Sequence, residues 1–221
     1  LFGRFPLDLV HFSGYRAYLE GFAVGRQLLD PLPLPALALL VLATLPVQAL
    51  VISPLNFGEE WGWRGYLLPR LLPLGQWPAL LLTGVIWSFW HAPLFLRGFD
   101  YPRHSVLGVL IAVIPFTLLG ILLGWTRLAT GSVWPAVLGH AGIDSVQVLG
   151  ALRVPSQAGV AYDSMQVYLT GWTGWLMLMA VVAVLVATRR LPVRNPPDLA
   201  PAGNAPATFV PASSVAVTYP Q

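Results

Sequence analysis

Six side chains that could take part in chemistry lie in three short segments of an otherwise apolar sequence. They are two adjacent glutamates with an arginine, a lone histidine, and a histidine with an aspartate: Glu59, Glu60, Arg64, His91, His140 and Asp144. A carboxylate can remove a proton from water, and imidazoles can bind a metal ion or donate hydrogen bonds to a developing negative charge. These residue types therefore indicate activation of water as the chemistry to consider.

Helical spacing explains some of these groups and leaves others without a partner. Glu60 and Arg64 are four residues apart, so on a helix they share one face and can neutralise each other. Glu59 lies about 100° around the helix from Glu60. Glu59 therefore needs another partner, unless Glu59 and Glu60 lie at a solvent-exposed helix end beside the lipid headgroups. His140 and Asp144 also share a face, and their spacing fits two groups aimed at one point or a local hydrogen bond.

The composition of the chain is that of a membrane protein. Only 10% of the 221 residues are charged, 56% are hydrophobic and the mean hydropathy is +0.69, whereas soluble domains carry roughly 25% charged residues. Four segments contain no charged residue, and each exceeds the roughly 20 residues that cross a bilayer: Pro31–Gly58, Leu71–Leu96, His104–Thr126 and Ser164–Thr188. This pattern predicts an all-α, polytopic transmembrane bundle in contact with lipid.

The residue types exclude a nucleic-acid partner and all cysteine chemistry. The basic residues are all arginines and form no extended basic cluster interleaved with aromatic residues, so no nucleic-acid partner is expected. The absence of cysteine excludes disulfides, thiolate catalysis and cysteine-ligated zinc.

Hydropathy predicts about six spans. Five are clear: Leu32–Ser53, Pro78–Leu96, Val106–Trp125, Ser132–Ala151 and Tyr168–Ala187. The sixth, Pro54–Leu74, contains the acidic doublet and is counted as a span because it then brings seven of the ten loop and terminal arginines to one membrane face. Since arginine-rich segments stay in the cytoplasm, both termini of a multi-pass plasma (inner) membrane protein are predicted there.

Three regions follow from these spans. Residues 1–31 are predicted as a cytoplasmic or interfacial segment, residues 32–188 as the transmembrane domain and residues 189–221 as a disordered cytoplasmic tail. The first residue is Leu1, which predicts an N-terminally truncated chain. The Gly120–Gly124 segment matches the small-residue pattern of helix contacts, which we interpret as coincidence in a glycine-rich chain.

Depth in the membrane separates a functional cluster from isolated polar residues. At 1.5 Å per residue, Glu59 lies roughly 22 Å from the cytoplasmic loops, His91 roughly 20 Å and His140 roughly 12 Å. Helix tilt can absorb a spread of several ångström. Taken alone, His91 would fit packing as well as function. Together, the three depths predict that side chains from three helices converge, and ionisable groups inside a bilayer mark functional sites by default.

The three segments resemble the signatures of a known family. They are the Gly-Glu-Glu-Trp-Gly-Trp-Arg-Gly-Tyr-Leu-Leu-Pro-Arg run of Gly58–Arg70, the Phe-Trp-His-Ala-Pro-Leu-Phe run of Phe89–Phe95, and Ser132–Asp144 with its His-Ala-Gly-Ile-Asp ending. The resemblance is to the CAAX protease and bacteriocin-processing enzyme family of intramembrane proteases, which includes the eukaryotic Ras-converting CAAX endopeptidase. It covers residues 32–149 and is strongest to the bacterial branch.

The resemblance implies a role for each matched residue. Glu59 would activate water, Glu60 and Arg64 would support the site, and His91 and His140 would complete it. Asp144 occupies a position where many relatives have Asn, which can donate a hydrogen bond to an oxyanion.

The metal dependence of this chemistry is open at the level of sequence. Two imidazoles and a carboxylate suit Zn²⁺, with Glu59, His91 and His140 as its ligands. Metal-free catalysis by glutamate and histidine fits the same residues.

The leading hypothesis is an intramembrane endopeptidase that hydrolyses a peptide bond in a membrane-associated protein or peptide. A proton-coupled transporter is the alternative from another class, since acidic and histidine relays also serve pumps, although no internal repeat is visible. A catalytically idle immunity or scaffold relative is the third. The sequence does not indicate an oligomeric state.

Overall fold

A computed structural model describes residues 33–98, 105–146, 169, 171–194, 196 and 199 of the chain. All regular secondary structure in these residues is helical, which confirms the predicted all-α class. The α-helices are α1 (Leu34–Glu60), α2 (Leu68–Leu71), α3 (Gln76–Trp90), α4 (Ala92–Leu96), α5 (Ser105–Thr130), α6 (Trp134–Val146) and α7 (Trp172–Ala187). A π-helical segment, Trp61–Leu67, joins α1 to α2, and a 3₁₀ turn, Leu72–Leu74, follows α2.

The helix that carries the acidic doublet is continuous where a boundary was predicted. Helix α1 contains Pro46 and Pro54 in its interior and runs on through the π-helical segment into α2. The predicted division between Ser53 and Pro54 is therefore wrong. Proline removes one backbone hydrogen bond without ending a membrane helix, because neighbouring groups can satisfy the freed carbonyl.

Hydropathy and helix length together single out α5. Among the described residues, one helix, Val106–Thr130, is long and apolar enough to cross a membrane by length and composition. Helix α7 is apolar but has only 16 residues. Outside the core, large apolar side chains face outward, as Val51 and Leu55 on α1 do at 75% and 77% exposure. Large exposed apolar surfaces mark contacts with other proteins or with a membrane.

Helices α3 and α5 pack closely through glycine. A Cβ atom added to Gly120 would lie 2.7 Å from the Cα atom of Gly84, and one added to Gly84 would lie 2.7 Å from the Cα atom of Thr117. Gly124 faces the side chain of Leu80. The interpretation of Gly120–Gly124 as coincidence is therefore wrong, because small residues are what lets two helix backbones approach this closely.

Gly120→Ala is expected to destabilise the protein by about 1–3 kcal/mol, because the new methyl group would press on backbone that cannot move aside locally. Unfolding of the purified protein in mixed micelles measures the change. Gly142→Ala is the matched control, since a Cβ there meets nothing within 4 Å. Equal stability of the two variants would contradict the prediction.

Helices α1 and α6 are antiparallel where they meet. Asn56 on α1 contacts Asp144, whereas Glu60, one turn later, contacts His140, one turn earlier on α6. This pairing brings two of the three predicted segments together.

The start of the predicted tail packs against the helices. Leu191 is 1% exposed in a core cluster that includes Leu68 and Leu80. The side chain of Gln76 donates a hydrogen bond to the carbonyl of Val193 (2.7 Å) and accepts one from its N–H (2.8 Å). The predicted N-terminal segment 1–31 and most of the tail beyond residue 194 lie outside the described residues, as do residues 147–151 of one predicted span.

Candidate active site

A buried ion pair lies at the junction of α1 and the π-helical segment. Nη1 of Arg64 donates to Oε1 of Glu60 at 2.7 Å, and both side chains are fully buried. The predicted pairing of these two residues is thus present in the structure. Short charge-assisted contacts of this kind are among the stronger hydrogen bonds in proteins. A π-helical segment is itself rare, and such segments are frequent at functional sites.

The same carboxylate reaches across to α6. Nδ1 of His140 donates to Oε1 of Glu60 at 2.9 Å, so this oxygen is shared by Arg64 and His140. Because the Nδ1 proton is engaged by Glu60, the Nε2 atom is the part of the His140 ring that remains available.

Of the two alternatives for His140 and Asp144, the local hydrogen bond is not formed. Oδ2 of Asp144 lies 3.8 Å from Nε2 of His140, which is beyond hydrogen-bond distance. The same oxygen instead accepts from Nδ2 of Asn56 at 2.7 Å. Asn56, only 4% exposed, was not singled out from the sequence. Its position one turn before Glu60, on the same helix face, was the available signal.

Glu59 has a partner on a different helix from those of Glu60. The indole N–H of Trp87 on α3 donates to Oε2 of Glu59 at 3.0 Å. Its other oxygen has no hydrogen-bond partner among the described residues. The expectation that Glu59 needs a separate partner is therefore correct, but sequence reasoning missed Trp87. The signal was its position four residues before His91.

His91 is oriented by the end of α3. The helix ends at Trp90, and the backbone N–H of His91 bonds to the carbonyl of Ser88. Nδ1 of His91 donates a hydrogen bond to the carbonyl of Trp87 at 3.0 Å. In the neutral ring, Nε2 is therefore unprotonated. Ring contacts with Trp90 and Phe116, at 4.8 and 4.7 Å between centroids, hold the imidazole from the sides.

Trp87 lies at the centre of the group. Its ring centroid is 5.5 Å from that of His91 and 5.2 Å from that of His140, both in edge-on geometry. The guanidinium carbon of Arg64 lies 4.7 Å from the same ring. The structure thus brings residues of all three predicted segments around one indole that is 2% exposed.

Glu59, His91 and His140 fulfil only some of the requirements of a zinc site. Both imidazoles have Nδ1 engaged by an oxygen acceptor, the arrangement that leaves Nε2 for a metal. In the part of the chain that the structure describes, however, no three histidine or acidic side chains are grouped closely enough to hold a metal ion. As placed, Glu59, His91 and His140 do not form a closed three-ligand set.

Comparison with known proteins shows one matching family model and one curated relative. The model is described as "Type II CAAX prenyl endopeptidase Rce1-like" and matches residues 34–146, about half of the chain. The relative is "CAAX prenyl protease 2" of Methanococcus maripaludis, 31% identical over 116 residues. That match covers 48% of this chain and 41% of the relative, so the chain spans less than half of its length. No solved structure matches.

Proposed function

Since the chain belongs to the Rce1-like family of type II CAAX prenyl endopeptidases, we propose that it is an intramembrane endopeptidase that hydrolyses a peptide bond in a membrane-associated protein or peptide. The observation that carries the proposal is the meeting of Glu59, His91 and His140 around Trp87 inside an apolar helical protein. The comparisons favour neither a transporter nor an idle scaffold.

Water activation is assigned to Glu59 and His91. Oε2 of Glu59 is held by an indole N–H, whereas its second oxygen has no partner among the described residues and can take a proton from water. Nδ1 of His91 donates to a carbonyl, which leaves Nε2 as the acceptor nitrogen of the ring. Nε2 can therefore accept a hydrogen bond from the second O–H group of the same water. The water oxygen attacks the scissile carbonyl carbon, and Glu59 then passes its proton to the leaving amine.

Stabilisation of the oxyanion is assigned to His140. Its Nδ1 donates to Glu60, so donation from Nε2 requires the ring to carry both protons and a positive charge. The carboxylates of Glu60 and Asp144 lie 2.9 and 3.8 Å from its two nitrogens, so both face the ring. Asp144 would then act on His140 rather than donate to the oxyanion itself.

Catalysis with a bound Zn²⁺ ion is the alternative to the metal-free route, and the ligand types at the site support it in part. His91 and His140 would bind the ion through Nε2, and Glu59 would supply a carboxylate oxygen. A bound zinc ion polarises water and substrate carbonyls. We propose the metal-free route because no three histidine or acidic side chains of the described residues are grouped closely enough to hold a metal ion, and because two carboxylates flank His140.

One experiment tests both the protease activity and the metal-free route. The purified chain is placed in liposomes and incubated with a library of membrane-anchored peptides. We expect cleavage that survives a zinc chelator. Loss of cleavage with chelator and recovery with Zn²⁺ would overturn the metal-free route and leave the protease proposal intact. If the folded protein cleaves no peptide but moves solute in a pH-dependent manner, the protease proposal fails in favour of a transporter.

We also propose a multi-pass arrangement in the inner membrane with the Gly75 and Gly131 turns and the C-terminal tail in the cytoplasm. Counting Pro54–Leu74 as a separate span gives six crossings and a cytoplasmic N-terminus. The continuity of α1 with α2 supports five crossings instead, with residues 1–31 on the opposite face. A topology reporter fused before residue 32 distinguishes the two counts, since every later loop has the same side in both.

A further inference from the structure

We propose that Trp87 is a positioning residue for the hydrolysis, which holds Glu59 through its indole N–H and sets the separation of His91 and His140 with its ring. The inference rests on the proposed peptidase activity and goes beyond it, because neither the family match nor the sequence assigns this tryptophan a role.

The first argument is the hydrogen bond to Glu59. A glutamate side chain has three rotatable bonds, and the described residues offer this one a single partner, the Trp87 N–H at 3.0 Å. The bond fixes one carboxylate oxygen on α3 and leaves the other for water. Without it, the carboxylate would sample several rotamers, and a general base must lie within hydrogen-bond reach of the proton it removes.

The second argument is that the same residue orients His91. Its backbone carbonyl accepts the Nδ1 proton of the imidazole at 3.0 Å, which selects the tautomer with an open Nε2. Trp87 therefore positions the carboxylate of Glu59 with its side chain and selects the tautomer of His91 with its backbone carbonyl.

The third argument is the place of the ring. Both imidazoles contact it edge-on, with centroids 5.5 and 5.2 Å away, and Arg64 approaches it at 4.7 Å. Because a single rigid indole touches both imidazoles, its size determines how far apart they lie. Simple core packing would require only an apolar ring, whereas the bond to Glu59 requires the N–H.

Trp87→Phe separates these roles, since it keeps an aromatic ring and removes the donor. We expect kcat for a cleaved peptide to fall about 10- to 100-fold, with KM changed less than about twofold, because substrate contacts are untouched. Replacing Trp87 with 3-benzothienylalanine, in which sulfur takes the place of N–H, retains the indole shape and should give the same fall in kcat.

Trp125→Phe is the matched control. Its indole N–H donates to the carbonyl of Arg190 at 3.2 Å, outside the site, so this variant also loses one indole hydrogen bond. We expect its kcat to stay within about twofold of the wild type. The proposal is overturned if the benzothienyl variant keeps the wild-type kcat, if only KM changes, or if Trp125→Phe loses as much kcat as Trp87→Phe. Failure of the wild-type chain to cleave any peptide would instead count against the peptidase proposal itself.

Discussion

Glu59→Gln is expected to lower kcat by about 10²- to 10⁴-fold, which is the range that a general base contributes to hydrolysis. The amide oxygen of glutamine can still accept the indole hydrogen bond of Trp87, so the side chain should keep its place. What disappears is the ability to remove a proton from water. Single-turnover cleavage of a membrane-anchored peptide in liposomes measures the loss.

Two comparisons make this result specific. Glu59→Asp keeps a carboxylate but withdraws it by one methylene, so it should retain more activity than Glu59→Gln. Substrate binding should survive in both, because the change removes proton transfer rather than a binding contact. A Glu59→Gln enzyme that keeps more than a tenth of the wild-type kcat would show that Glu59 is not the base.

Arg64→Met is expected to lower the free energy of unfolding by about 3–5 kcal/mol, the cost of leaving one partner of a buried pair without the other. Glu60 is fully buried, and Arg64 neutralises it at 2.7 Å. Methionine roughly fills the space of the arginine stem but leaves the carboxylate with His140 as its single partner within the described part of the chain. Unfolding in mixed micelles, followed by circular dichroism, measures the change.

The control for this variant is Arg70→Met, the same substitution two turns along the helical segment. Arg70 is exposed, and the polar contacts that the structure describes for it are with the carbonyl and ring of Tyr66, so we expect a change within about 0.5 kcal/mol. Adding Glu60→Gln to Arg64→Met should recover part of the lost stability, because the unpaired charge is removed. A double variant less stable than Arg64→Met alone would contradict the buried-charge explanation.

Sequence spacing predicted the contacts that lie within one helix. Glu60 and Arg64 are four residues apart, and a single turn of helix determines their meeting, so the pair could be inferred without tertiary structure. The separate orientation of Glu59 followed from the same geometry. Its partner Trp87 did not, because the approach of α3 to α1 depends on packing across the whole bundle.

Contacts between helices and proline-containing boundaries were harder to predict. His140 and Asp144 have the spacing for a local bond, but Asn56 on α1 takes the aspartate oxygen, and hydropathy gives an amide in an uncharged run no special weight. Pro54 looked like the start of a span, although a proline within a membrane helix does not have to end it.

The pairing of Gln76 with Val193 determines where the chain can be shortened or tagged. The side-chain hydrogen bonds that the structure describes for Gln76 go to the main chain of Val193, so residue 193 can change to any residue except proline without loss of the two hydrogen bonds. Leu191 and Leu199 occupy the core with their side chains, and Val193 packs against the same cluster. Ending the chain directly after α7 to attach a purification handle would remove both leucines from the core, whereas a handle attached beyond Leu199 would keep both of them in place.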